Sequence, residues 1–461
     1  MKSVCNFFPM LAIFIALVLG TQQKIFAVTG TCDIYNAAGD SCVAAYSTVR
    51  ALYGAYTGSL YQVKTASGAT LNIGVLSAGS VADAAAQDSF CAGTSCTIPI
   101  IYDQSGHGNN LTPAPGGSPT YGKHADIAAN ADTLPIQLDG HKVYGLHLTP
   151  NTPETTGTTQ VGYRFVGAAK GVAQNDNPET IYEVTDGTYF DNKCCFDFGN
   201  AESTAVAGAD GAMEAIYFGN VTSWDKGAGS GPWIMADMED GVFSTSGNTG
   251  ATNANDSSWT HPYVTAMLKG NTHTNPTTPG NPFVLEGGNA TTGGLTTIYN
   301  GASPNGYNPM KKQGGIVLGV GGDNSNPCNG NFYEGVMTKG YATGATDTLI
   351  QANIVAAGYG SSASAIFKGI VGESSSGAAS LRYDPLNFRV AIDFAVQDGS
   401  NVSLDVLDLQ GRHIASILEG PVSAGQHQAV WDTRNMQAGL YIARLSVNGQ
   451  QTWTGKIVLG D

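Results

Sequence analysis

From about Thr31 to Gly360 the chain is a succession of short apolar segments, each broken within a few residues by Gly, Thr, Asn or Ser. Strands tolerate that punctuation; long helices do not, because glycine and the small polar residues disfavour helix interiors and favour turns. The 61 glycines among 461 residues, about 13%, are near twice the ordinary share of about 7%. The expected fold class is therefore all-β, a large β-sandwich. Two helical exceptions are predicted. The apolar residues of Cys42–Tyr53 recur at helical spacing, with Asp40 or Ser41 as a cap, and a second short helix is expected over Asp347–Ala357.

The patterning changes at both ends. Met1-Lys2-Ser3 followed by the apolar run Phe7–Gly20 reads as a signal peptide over 1–27, with Ala27 before the cleavage point. The run is shorter than the 18 or more residues of a membrane span, so no span is expected. Residues 361–380 are rich in Ser, Gly and Ala and read as a linker. Beyond it Val390, Ile392, Phe394 and Val396, then Val402, Leu404 and Val406, then Tyr441, Ala443, Leu445 and Val447 alternate with more polar neighbours. That is the period of half-buried strands, and it predicts a separate small β-sandwich over 381–461. The net charge of −15 and the 12% of charged residues argue against nucleic acid as a partner, while a neutral ligand such as carbohydrate stays open.

Of the eight cysteines, Cys5 falls in the signal peptide, leaving an odd number of mature thiols. Cys32 with Cys42 and Cys91 with Cys96 have the short separation of loop-closing disulfides, and no CxxC or histidine spacing favours a metal instead. Cys194 and Cys195 are adjacent. They bond each other only in a strained ring, or each pairs elsewhere, for instance one of them with Cys328.

Two acidic segments are candidate chemistry. In Gly231-Pro232-Trp233-Ile234-Met235-Ala236-Asp237-Met238-Glu239-Asp240, a strand puts Asp237 and Glu239 on one face, opposite Ile234, Ala236 and Met238. A solvated edge or a calcium site fits the same spacing. Asp323 stands in Gly319-Val320-Gly321-Gly322-Asp323-Asn324, a glycine-rich loop expected after a strand at Gly315–Leu318, where an ordinary Asp-Asn turn is the alternative. No phosphate loop and no GxSxG elbow is present.

The strings CCFDFGNAE, GAMEAIYFGN, GPWIMADMED, GYNP and LGVGGDNSN…FYEGVMTKGY resemble the catalytic domain of the family 54 glycoside hydrolases, the α-L-arabinofuranosidase B group, from about Cys32 to Gly360. The resemblance implies a β-sandwich that releases terminal α-L-arabinofuranose with retention. It gives Glu239 as nucleophile and Asp323 as general acid/base. Substrate-binding roles fall on Asp237, on Trp224 in the pocket wall, on the backbone of Gly322 and, more weakly, on Asp240 and Gly241. It also implies disulfides Cys32–Cys42, Cys91–Cys96 and a vicinal Cys194–Cys195 that packs against the sugar. The tail strings VLDLQGRHIASIL, GQHQAVWDT and AGLYIARLSVNG resemble immunoglobulin-like modules of bacterial secreted proteins, including type IX secretion sorting domains. This chain has that module where fungal members carry an arabinose-binding β-trefoil.

The resulting expectation is a secreted or cell-surface enzyme, from a bacterial host, made of a catalytic domain at 28–360 and an attachment or sorting module at 381–461. It acts on plant arabinoxylan or arabinan without metal or cofactor, and its tail engages secretion or surface machinery. The rivals are a non-catalytic carbohydrate-binding or adhesion protein on the same sandwich, and the same machinery acting on a β-D-galactofuranoside or β-D-xyloside.

Overall fold

The structure, a computed structural model, describes residues 29–117, 125–149, 160–247, 250–273, 281–324, 329–361, 379–384, 389–396, 398–408, 412–434, 436 and 439–459. The expected signal peptide, Cys328 and most of the expected linker lie outside these residues. Among the described residues no helix is long and apolar enough to cross a membrane.

The first domain is built on two seven-stranded sheets. One runs Cys42–Ser47, Gly330–Thr338, Glu179–Thr185, Val264–Gly270, Phe283–Asn289 and Thr296–Gly301 in spatial order, with Leu146–Leu148 also paired to Gly330–Thr338. The other runs Val242–Phe243, Trp233–Asp237, Glu214–Gly219, Asp197–Ala201, Gly315–Leu318, Tyr163–Phe165 and Thr112–Pro113. Their facing side chains share one core that includes Ile181, Phe198, Ile216, Ile234 and Leu268. The glycines earn their number by close approach: a Cβ on Gly199 would lie 3.0 Å from Ile181 of the opposite sheet. On the outer face of the first sheet, Tyr182 donates to Glu334 and accepts from the Thr31 hydroxyl, and Arg50 pairs with Glu334 beneath the helix Gly344–Ala356.

That helix matches the one expected at 347–357, and Thr343 caps it by accepting from the Thr346 N–H. The helix expected over Cys42–Tyr53 is absent. Cys42–Ser47 is a strand buried on both sides, paired antiparallel with Gly330–Thr338. When every residue is buried the apolar period carries no information, and the partner strand decides. The helix lies just upstream at Thr31–Ala38, where the Asp33 carboxylate accepts from the Gly30 N–H, and the Cys32–Cys42 disulfide ties it to the strand. Asp40 and Ser41 therefore follow the helix and do not start one, and the Asp40 N–H closes its C-terminal end by donating to the Tyr35 carbonyl at 2.9 Å.

In the tail, sheets of three and four strands enclose a core of Val390, Ile392, Phe394, Val402, Leu404, Val406, Trp431, Leu445 and Trp453, as the alternation predicts. Its first strand, Ala379–Asp384, begins two residues inside the expected linker.

The strand expected to carry both Asp237 and Glu239 stops at Asp237. Trp233–Asp237 pairs with Val242–Phe243 as a hairpin, Asp237 opposite Val242, and Met238 N–H donates to the Gly241 carbonyl. Glu239 and Asp240 are thus the two central residues of the turn, both left-handed at φ 64° and 56°. Positive φ at both positions is what a tight type I′ turn requires, and it favours Asn-Gly over Glu-Asp. A side chain in this region costs roughly 1–2 kcal/mol. Glu239→Gly should accordingly be more stable than Glu239→Ala by about 1 kcal/mol, measured by denaturant unfolding. An alanine variant as stable as the glycine one would mean that the turn is not held left-handed.

Candidate active site

The turn aims Glu239 by fixing its backbone at both ends. Its N–H donates to Asp237 Oδ1 at 3.0 Å and its carbonyl accepts from the Tyr307 hydroxyl at 2.9 Å. Tyr307 stacks edge-on against Phe243, and Gly241 leaves them room, since a Cβ there would stand 2.3 Å from the Phe243 ring. The two acids are therefore not repelling neighbours on a strand face. Asp237 ends the strand and holds the turn that presents Glu239. Asp240, the other turn residue, is exposed; partial burial and the neighbouring Asp210 carboxyl raise its pKa.

Other carboxyls crowd this point. Glu239 Oε1 and Glu202 Oε1 both accept from the Gly208 N–H, each at 3.1 Å. Burial, and then the Glu202 carboxyl, hold Glu239 above the ordinary carboxylate range. Asp237 is pushed up to about 7, chiefly by burial, with the Glu239 N–H working against the shift. Behind Asp237 lies the fully buried Asp197, raised well above its usual value by burial and by Asp237 itself. Two buried carboxyls this close resist ionising together.

Asp323 comes from the far side of the second sheet, in the loop after Gly315–Leu318, the strand expected there. It is half-buried, and its charge acts on Glu239, Asp237 and Asp240. Arg164 anchors this loop: it donates to the carbonyls of Gly322 at 2.5 Å, Glu202 at 2.6 Å and Thr204 at 2.9 Å. Burial lowers the Arg164 pKa to about 10, although Glu202, Asp323 and Glu239 pull it upward. Gly322 has no space for a side chain, because a Cβ would fall 2.1 Å from Glu202 Oε2.

An apolar wall completes the site. Cys195, Tyr217, Val221, Trp233, Met235 and Val242 form a buried cluster against which Cys194 and the half-buried Trp224 pack. Cys194 and Cys195 are disulfide-bonded to each other, and the Cys195 sulfur lies 2.9 Å from Asp237 Oδ2. Cys194, Cys195 and Asp237 are close enough together for a metal, but the disulfide removes both thiolates, so the cluster is a contact and not a ligand set. Cys32–Cys42 and Cys91–Cys96 are also bonded, away from this cluster.

The structure thus brings Asp237, Glu239, Asp240, Gly241, Cys194, Cys195, Trp224, Gly322 and Asp323 into one neighbourhood. Sequence reasoning passed over Glu202, Arg164, Tyr307 and Gly208. Glu202 and Tyr307 stand inside the strings CCFDFGNAE and GYNP, and Arg164 is a cation within an apolar strand of a charge-poor chain.

Residues 31–360 match the family model described as "Alpha-L-arabinofuranosidase B, catalytic", and residues 384–460 match "Secretion system C-terminal sorting domain". An α-L-arabinofuranosidase B from Aspergillus oryzae is 51% identical over 350 residues, covering 75% of this chain and 65% of the relative. An arabinofuranosidase/β-xylosidase from Trichoderma koningii is 52% identical over 335 residues, covering 72% of this chain and 63% of the relative. The chain thus spans less than two-thirds of the length of these relatives. A crystal structure of an arabinofuranosidase complexed with arabinofuranosyl-α-1,2-xylobiose superposes with a TM-score of 0.66 at 43% identity, covering 81% of this chain and 74% of that one. With the family model matched across the whole two-sheet domain, this chain belongs to the α-L-arabinofuranosidase B catalytic family.

Proposed function

We propose that the chain is a retaining α-L-arabinofuranosidase that removes terminal arabinofuranose from plant arabinoxylan or arabinan. The observation that carries this reading is the convergence of Glu239, on its constrained turn, with Asp323 from a separate loop beside an apolar wall. A retaining glycosidase needs two carboxyls roughly 5–5.5 Å apart. Glu239 attacks the anomeric carbon while Asp323 gives its proton to the departing oxygen. Asp323 then takes a proton from water, which displaces Glu239 from the glycosyl ester. Asp237 holds a sugar hydroxyl, and the Gly322 backbone contacts the sugar. Trp224 and the Cys194–Cys195 disulfide supply the apolar surface against its ring. The left-handed turn fits this role, since strained backbone concentrates where geometry matters more than stability. A β-xylosidase activity is the second reading, favoured by the name of the Trichoderma koningii relative; a xyloside tested alongside an arabinofuranoside separates the two.

Glu239→Gln should lower kcat on an aryl arabinofuranoside by about a thousandfold or more, about 4 kcal/mol of barrier, because an amide forms no glycosyl ester. Asp323→Asn should reduce release from arabinofuranosyl-xylobiose by about 10²–10⁴-fold and spare glycosylation by a nitrophenyl substrate, whose leaving group needs no proton. Turnover near wild type in Glu239→Gln would remove the assignment.

Within the same reading, the domain at 28–360 performs hydrolysis and the module at 381–461 directs export or surface attachment. The match to a sorting domain supports this division and an extracellular location. A chain ended at Gly360 should keep full activity on an aryl arabinofuranoside and lose export in a host with the matching secretion system. Loss of small-substrate activity with the first domain still folded would overturn the division.

A further inference from the structure

Glu202 is the most deeply placed acid beside Glu239, and no role in the reaction has yet fallen to it. It is 0% exposed, whereas Glu239 is 7% exposed. Its Oε1 shares the Gly208 N–H with Glu239 Oε1. Its Oε2 is buried and receives no donor from the described residues. That same oxygen lies against Gly322, next to Asp323, and the Glu202 carbonyl holds Arg164. One N–H divided between two carboxyls, with a further buried oxygen undonated, does not satisfy two negative charges. Desolvation disfavours two charges side by side, so the pair holds one proton between its two carboxyls.

We propose that Glu202 is a positioning residue for the nucleophile: a proton held between its carboxyl and that of Glu239 ties the two together and sets the spacing between Glu239 and the Gly322–Asp323 loop. The proposal rests on Glu239 being the nucleophile. The ionisable groups facing the pair are Asp197 and Asp237 from the second sheet, Asp323 from its loop, Arg164 from Tyr163–Phe165, and Tyr307. Titration then belongs to the pair. Losing the first proton creates the attacking carboxylate; losing the second removes the donor and adds repulsion.

The test is the pH profile of kcat/KM on a dinitrophenyl arabinofuranoside, which reports attack by Glu239 without any need for leaving-group protonation. Glu202→Ala should lower kcat/KM by about 100-fold, the scale of a misplaced reacting group. Glu202→Gln, a neutral donor of the same shape, should restore most of that loss, keep the acid limb and abolish the alkaline limb. A Glu202→Gln profile superimposable on wild type, or a loss equal to that of alanine, would overturn the proposal. If the alanine variant fails to fold, the glutamine profile decides alone. Glu239→Gln serves as the control: turnover there would mean that the nucleophile reading has failed, whereas an inert control with an unmoved Glu202→Gln profile sinks only this inference.

Discussion

Crowding of like charge is the constraint on which this site depends. Asp197, Glu202, Asp237 and Glu239 are all buried around one turn, with Asp323 near enough to act on Asp237 and Glu239. In low dielectric they cannot all ionise, and the surroundings divide the load. Backbone N–H groups of Gly208 and Glu239 are donated to carboxyls. Arg164 places a buried guanidinium among them while its own hydrogen bonds go to carbonyls, so among the described residues it supplies field without a direct ion pair. Burial also holds Asp197, Asp237 and Glu239 above the ordinary carboxylate range, which lowers the charge the cluster carries.

The sandwich makes this arrangement affordable. Two seven-stranded sheets enclose one continuous core, so a strained turn at Glu239-Asp240 is held by a large structure that does not depend on it. The hairpin closes at the edge of the second sheet, where Val242–Phe243 is the terminal strand, and the turn opens toward the loop that carries Asp323.

What was legible in the sequence follows from which interactions are local. The tail strands declare themselves through strict alternation, because one face is buried and the other is not. The helix at Gly344–Ala356 and the strand at Gly315–Leu318 are equally plain. Cys42–Ser47 misleads because it is buried on both sides, and only its partner Gly330–Thr338, nearly 300 residues later, fixes it as a strand. Asp237 and Glu239 read as a pair on one face because period-2 alternation has no means of showing that the strand ends between them. Glu202 has no local signature at all. It ends a motif that any buried strand would tolerate, and its meaning comes from Gly208, Gly322 and Glu239 meeting it in space.

The central claim is that Glu239 becomes covalently attached to the sugar. Rapid quenching of the reaction with a fluorinated arabinofuranoside, followed by mass spectrometry of proteolytic fragments, tests it most directly. The account predicts one added fluorodeoxypentosyl unit on the peptide that contains Glu239, and none in Glu239→Gln. An adduct on another residue, or no adduct while the first-formed arabinose appears in the inverted configuration, would contradict it.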